Sequence, residues 1–444
     1  MNSLNLEQYI KVKYNNKHDW FLEEVGSVAN QQRMADVEKK KDYLMGYHNI
    51  LNLPSFMYNG ESITPRKIVL NTAKTLLQFQ AQFLLKNPVV LTGSEVMIDQ
   101  FNKVNKLGKF NGKNMRILNE LLKFGSCSEY IFINKNGYID SKIIPSDEGT
   151  PVWNHHNEMI AFVQSYVFDG ISYYTVYTDD TVQEYTNEDG SIRLVSQHAN
   201  LSELPIYYHT HNEYSEVEGR SALDDFVGLL DNMELLLSKT IDNTYMYSAG
   251  IPVVTGQRLT GGAGIPKEVS GGGLSLDDGS TFEFVSNDID VEAFETLYDK
   301  LNQSLLDVSA TPAVSMNKTD ISNLSEVSIK LLFSLAEVKA SENEGYLRDG
   351  MMERYDKIRK LLIYKNILIS DDEYASLDLL FKYNQPQNET ETIANLKTLR
   401  ELQALSMESL MEHSPYTTDV KQEVSRMNLE GLSGTVIDVD VGVE

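Results

Sequence analysis

Apolar positions along the chain change period several times, and each change marks a different kind of element. Between Ile68 and Leu85, the residues Ile68, Val69, Ala73, Leu76, Leu77, Phe79 and Phe83 recur at helical spacing. Thr64 and Pro65 supply a cap and first turn, and Asn87-Pro88 ends the segment because proline disfavours α geometry in the residue before it. A charged helix is predicted over Gln31 to Asn49, with Lys39, Lys40 and Lys41 on a solvated face, and another from Asn114 to Phe124, stopped by Gly125. From Glu129 to His211 the runs become short, β-branched and aromatic: Tyr130 to Ile133, Ala161 to Phe168, Ser172 to Tyr177 and Pro205 to His209. The turn pairs Asn136-Gly137, Asp169-Gly170 and Asp189-Gly190 separate them, which predicts an antiparallel meander.

The period then returns to that of a helix. Phe226, Leu229, Leu230, Met233, Leu237 and Ile241 form an apolar stripe through Ser221 to Tyr247, broken at Gly250 and Pro252. Strand-like Ile251 to Thr255 and Thr281 to Val285 flank a segment rich in glycine, with Gly261, Gly262, Gly264, Lys267, Gly271, Gly272 and Gly273. A helix from Val291 to Val308 carries Phe294, Leu297, Tyr298, Leu301, Leu305 and Leu306, and Thr311-Pro312 ends it. A polar loop, Ser315 to Ser322, leads into a long helix ending near Tyr364. Gly345 and Gly350 inside it each weaken it by about 1 kcal/mol and are candidate kinks. Helices over Glu389 to Leu402, Met407 to Met411 and Thr418 to Leu429 precede a small acidic tail expected to be disordered.

Charge changes this picture more than composition does. The 444 residues hold 39 Lys and Arg against 64 Asp and Glu, a formal net charge of -25. Gripping DNA needs a basic patch that neutralises phosphates, and this balance argues against one. The acidity is concentrated between Asp277 and Asp299, where Asp288, Asp290, Glu292, Glu295 and Asp299 fall with no lysine or arginine until Lys300. Such a run is ordinarily a solvated helix face; repeated around a channel, it would make negative belts that repel phosphates. No apolar run is long enough to span a membrane, and Met1 to Asn16 contain no apolar core of signal-peptide length. The lone Cys127 cannot form an intrachain disulfide, which fits a reducing compartment.

Signatures of enzyme chemistry are missing from the sequence. There is no phosphate-binding G-x-x-x-x-G-K-[ST], no G-x-S-x-G elbow and no H-E-x-x-H pair. Gly261 to Lys267 resembles a phosphate loop only in its glycines and lysine. His209 and His211 at strand spacing, with His155 and His156 nearby in sequence, are the best candidates for a metal site. They lack the carboxylate partners that orient histidine ligands, so scattered surface histidines are the favoured reading. No cofactor is expected.

The order of elements, a helix, a glycine-rich excursion, a returning helix, a polar loop and a long helix, resembles the portal proteins of long-tailed phages of Gram-positive bacteria. Tyr43-Leu-Met-Gly-Tyr-His-Asn-Ile50 is similar to that family's early tyrosine-glycine-histidine motif. Asn71 to Lys74 through Lys86-Asn-Pro-Val89 resembles its helix ending in a lysine-x-proline turn. Ser325 to Leu331 followed by Leu335 to Ala340 resembles the start of its tunnel helix, with Glu326 and Ser328 in place of the usual glycine and alanine. Asn384-Gln-Pro386 and Ser409 to Glu423 resemble its closing segment, so the likeness runs from about Tyr43 to Leu429.

The resemblance implies an α+β portal fold with a mixed wing domain, paired stem helices, a small α/β clip, a long kinked tunnel helix and a helical C-terminal crown. The wing would comprise 1–215 and 366–394, the stem helices 216–249 and 291–311, and the clip 250–290. The tunnel loop would be 312–323, the tunnel helix 324–365, the crown 395–430 and the acidic tail 431–444. The chain is short for the family at its C-terminus, which implies a reduced crown. The resemblance further implies a homo-oligomeric ring of about twelve subunits at one capsid vertex, built in the host cytoplasm and carried in the virion, with no membrane partner. Double-stranded DNA would pass through without sequence readout, touching Met316, Asn317, Lys318 and Thr319 of the tunnel loop. The clip would dock the terminase large subunit during packaging and a head-completion or adaptor protein afterwards, and major capsid and scaffolding proteins would surround the ring. A metal-dependent hydrolase using the four histidines, or another head-tail connector protein, are the alternatives.

Overall fold

The computed structural model describes residues 4–58, 61–247, 251–256, 278–285, 291–313, 326–386, 389–414, 416–417 and 420–429. They fall into two units, Met1–Thr311 with Ala336–Tyr383, and Pro312–Leu335 with Asn384–Glu444.

The first unit opens with three helices, α1 (Leu6–Tyr14), α2 (Trp20–Val25) and α3 (Val28–Met45). Asn5 and Ser27 cap α1 and α3 by accepting the amides of Gln8 and Asn30. Gly46, at φ +100°, ends α3 in the left-handed geometry that glycine tolerates best. A small hairpin, β1 (Phe56–Tyr58) and β2 (Glu61–Ile63), precedes α4 (Thr72–Leu85), β3 (Val90–Thr92), α5 (Glu95–Leu107) and α6 (Phe110–Phe124). The helix expected from Ile68 starts four residues later, and 64–70 is not helical, because its amides bond to a helix further along the chain.

The aromatic region forms two antiparallel sheets rather than one. Its strands are β4 (Ser126–Ile133), β5 (Ile139–Ile144), β6 (Gly149–Trp153), β7 (Met159–Phe168), β8 (Ile171–Tyr177), β9 (Thr181–Thr186), β10 (Arg193–Ala199) and β11 (Ile206–His209). β6 to β10 make the expected meander, in the order β10-β9-β8-β7-β6. β11 instead returns beside β4 in a three-stranded sheet, β11-β4-β5. The Asp169-Gly170 turn has φ of 50° and 76°, the double positive pair of a type I′ hairpin. Phe21 and Trp20 of α2 and Tyr14 of α1 pack on Val152, Ala161, Val163 and Val176, covering one face of the larger sheet.

Beyond the sheets come α7 (Val227–Tyr247), β12 (Ile251–Thr255), β13 (Thr281–Val285), α8 (Val291–Val308) and α9 (Glu326–Tyr364). α10 (Asp371–Ala375), closed by a Ser370/Glu373 capping box, leads to β14 (Asp378–Leu380), which pairs antiparallel with β3. In the second unit, α11 (Glu389–Glu401), α12 (Met407–His413) and α13 (Val420–Leu429) pack in sequence. The architecture is α+β, as the sequence implies. Among the described residues no helix is long and apolar enough to cross a membrane.

α9 is one unbroken helix through both of its internal glycines, which have different reasons to be there. A Cβ at Gly350 would lie 2.1 Å from Cε1 of Tyr208, whereas one at Gly345 would meet nothing within 4 Å. Gly350 is thus a point of close approach between α9 and β11. Gly350→Ala should destabilise the fold by about 1–3 kcal/mol through overpacking, and Gly345→Ala should stabilise it by up to about 1 kcal/mol. Thermal unfolding of the two variants at equal protein concentration checks the opposite signs.

Candidate functional site

α7 and α8 pack as a pair, and the local sequence determines which side of each is committed. Ser221 starts the segment: its hydroxyl accepts the Leu223 amide at 3.1 Å and donates to the Lys123 carbonyl at 2.6 Å. Along α7, Leu230 and Met233 are buried on an apolar side. Asp231, Glu234, Ser238 and Asp242, at steps of three and four, form a polar row beside it.

That row holds the segment before α4. The Arg66 amide donates to Asp242 at 3.1 Å, the Ile68 amide to Ser238 Oγ at 3.1 Å, and the Leu70 amide to Glu234 Oε1 at 2.7 Å. Two residues of extended chain advance about 6.6 Å and four residues of helix about 6 Å, so every second amide meets every fourth side chain. The strap runs antiparallel to α7. Its Arg66, Ile68 and Leu70 amides are bonded to α7, which is why this segment stays extended and does not join α4.

The same Glu234 reaches the tyrosine-glycine-histidine string. His48 Nδ1 lies 2.5 Å from Glu234 Oε1 and Nε2 lies 2.9 Å from the Tyr43 carbonyl, with the His48 ring stacked on the Tyr43 ring at 3.8 Å. Both side chains of the His48–Glu234 pair are buried. Burial, with the charges of Asp231 and Glu234, pushes the Tyr43 hydroxyl well above its ordinary range. Asn49 Nδ2 donates to Asp231 Oδ2 at 2.8 Å and completes the attachment.

α8 packs against α7. Phe294 and Tyr298 are stacked at 6.1 Å, and Leu305, about three turns and two turns on from them, is buried on the same side. Glu292, Glu295 and Asp299 sit on the opposite side at steps of three and four, all exposed. Three of the five carboxylates of the acidic run, Glu292, Glu295 and Asp299, therefore share one continuous helix face. β12 and β13 pair antiparallel from Ile251 with Val285 to Thr255 with Thr281, as their strand-like runs predict, and Asp278-Gly279 leads into β13. Asp288, Asp290, the clip residues Gly261, Gly262, Gly264, Lys267, Gly271, Gly272 and Gly273, and the tunnel-loop residues Met316, Asn317, Lys318 and Thr319 lie outside the described residues.

A second, fully buried polar cluster fixes α9, and nothing in the sequence marks it. Arg354 Nε donates to Glu129 Oε2 at 2.8 Å, Nη1 to Asn114 Oδ1 at 2.5 Å and Nη2 to Tyr208 Oη at 3.1 Å. Tyr208 Oη and Ser141 Oγ donate to the two oxygens of Glu129 at 2.9 and 2.5 Å. The guanidinium lies 5.2 Å over the Phe110 ring. Burial alone would lower the Arg354 guanidinium, but the Glu129 charge and hydrogen bond, together with Tyr208 and Tyr355, outweigh it and raise it. The Tyr208 hydroxyl is pushed well up by burial. One arginine thus joins α9 to α6, β4 and β11, and Glu129 carries the cluster on to Ser141 of β5.

The histidine candidates do not converge. β11 ends at His209, whose Nδ1 faces the neighbouring Thr210 carbonyl at 3.2 Å, and His211 lies past the strand. The strand stops there because Thr210 turns to Gly125 through its amide at 2.9 Å. His155 and His156 sit together in the turn between β6 and β7. Among the described residues no three His, Cys, Asp or Glu side chains are grouped to hold a metal.

A family profile described as "Phage portal protein, SPP1 Gp6-like" matches residues 28–432. The chain belongs to the phage portal protein family. Its function is that of a portal, the DNA channel of the virion, and the family is structural. Among solved structures the portal chain is similar to one in "Neck of native GTA particle computed with C12 symmetry", at 9% identity and a TM-score of 0.44, over 76% of this chain and 87% of that one. It is also similar to one in "Neck of empty GTA particle computed with C6 symmetry", at 9% identity and a TM-score of 0.43, over 79% and 88%. No curated protein matches it.

Proposed function

We propose that copies of this chain close into a ring of about twelve at one capsid vertex, with α8 turned toward the DNA that passes through. The observation that carries this reading is the division of α8 into an apolar side packed on α7 and an exposed acidic side of Glu292, Glu295 and Asp299. Repeated around a hole, that side repels phosphates from every direction, so the duplex stays centred and mobile. In the wider proposal, Asp288 and Asp290 extend the acidic surface. Lys318, with Met316, Asn317 and Thr319, makes transient phosphate contacts that carry no base readout. The glycines Gly261, Gly262, Gly264 and Gly271 to Gly273, with Lys267, let the clip adapt first to the terminase large subunit and then to a head-completion or adaptor protein. Major capsid and scaffolding proteins contact the ring in the host cytoplasm as it is built in. The chain catalyses no reaction in this reading.

The test combines imaging with charge reversal. Purified protein in negative stain should show rings with a central hole. The triple variant Glu292→Lys, Glu295→Lys, Asp299→Lys should still form rings but hold DNA at low salt and release it as salt rises, and phage carrying it should package more slowly. Rings whose DNA retention and packaging rate match the unmodified protein would remove α8 from the channel wall.

A further inference from the structure

Near its start, α9 is apolar on two sides. Ile329, Phe333, Ala336 and Ala340 are buried on one side. On the other, Val327, Leu331, Leu335 and Val338 are 66%, 71%, 54% and 69% exposed. Steps of four, four and three keep these four on one face. A helix apolar all round belongs in a buried setting, and an open apolar stripe marks an interface. α8 carries a second stripe, with Leu297 and Val308 each 49% exposed and Leu301 half-buried between them. It lies on neither the α7 side nor the acidic side.

We infer that the open stripe of α9 packs, antiparallel, on the open stripe of α8 of a neighbouring copy. The inference rests on the ring reading above: a ring closes through a head-to-tail contact in which one patch meets a different patch on the next copy. Two unlike stripes on one chain meet that requirement.

Charge sets the direction. Lys300 and Asp307 flank the α8 stripe, and Lys330 and Glu337 flank the α9 stripe, each pair one heptad apart. Parallel packing would match the apolar residues, Leu297 with Val327, Leu301 with Leu331 and Val308 with Val338. It would put the flanking charges of the two helices on opposite edges of the contact, where they do not meet. Antiparallel packing places Lys300 opposite Glu337 and Asp307 opposite Lys330. Val308 then falls between Val327 and Leu331, and Leu301 between Leu335 and Val338. Antiparallel packing leaves Leu297 beyond Val338, but it alone brings the opposite flanking charges together, and these choose the direction, as they do at the edges of coiled coils.

The lone cysteine, Cys127, is buried, so engineered thiols report the contact without interference. The full-length variant Leu301→Cys, Leu335→Cys, assembled and mildly oxidised, should give a ladder of covalent multimers on a denaturing gel. Leu297→Cys, Val327→Cys, whose positions lie about 20 Å apart in the antiparallel arrangement, should run as monomer. Rings without a ladder from the first pair, a ladder from the second, or a bond closed within one chain would overturn the pairing and leave the ring standing. If the unmodified chain forms no ring, the ring reading fails and this pairing with it. As an independent check, Asp307→Lys and Lys330→Asp should each weaken assembly about tenfold and together restore it to within about threefold. Additive losses in the double variant would also overturn the pairing.

Discussion

Arg354→Met should destabilise the chain by about 3–5 kcal/mol, because it strands the Glu129 carboxylate in an interior with no counter-charge. Glu129 would keep the hydroxyls of Tyr208 and Ser141, which is too little to replace a buried guanidinium at 2.8 Å. Asn114 would lose its partner as well. The informative comparison is the double variant Arg354→Met, Glu129→Leu. Removing both charges is often neutral or better, so it should recover more than half of the loss. Unfolding is measured at one protein concentration, since assembly itself shifts apparent stability. A double variant no more stable than Arg354→Met would mean that packing around Arg354, rather than its charge, holds α9 to the wing.

Glu234→Ala should be the other large effect, a loss of about 2–4 kcal/mol from leaving a buried and a part-buried group without their shared acceptor. The donors are the Leu70 amide at 2.7 Å and the His48 ring at 2.5 Å. Its distinguishing sign is regional. Amide exchange should quicken along the strap at Ile68 and Leu70 while the sheet strands stay protected, because only the attachment to α7 is lost. Unchanged exchange at Leu70 would show that Ser238 and Asp242 suffice to hold the strap.

Elements whose signals are local were legible from the sequence. α8 was read with both ends correct because Phe294, Tyr298 and Leu305 pattern one side and Thr311-Pro312 stops the helix. The bounds of β12 and β13 followed from β-branched runs beside glycine. The strap was misread because Ile68 and Val69 fit helical spacing, while the side chains that take its amides lie 164 to 176 residues away. Glu234 passed unnoticed as one carboxylate beside Met233 in an apolar stripe, although the tyrosine-glycine-histidine string it anchors did stand out. Arg354 is one charge among many in α9, and its partner Glu129 is 225 residues distant. Gly350 was read as a kink, since only the Tyr208 ring reveals why no larger side chain fits.

The strap also gives α7 a mechanical property. Its three amide bonds point sideways from α7, and the two chains run alongside each other in opposite directions. A pull along the helix axis, such as a moving duplex would exert on a channel wall, therefore loads all three bonds together in shear. They cannot be peeled one at a time, as a hairpin is unzipped from its open end. Tension on α7 passes into the strap and through it toward α4, and the attachment resists sliding far better than it would resist being lifted away.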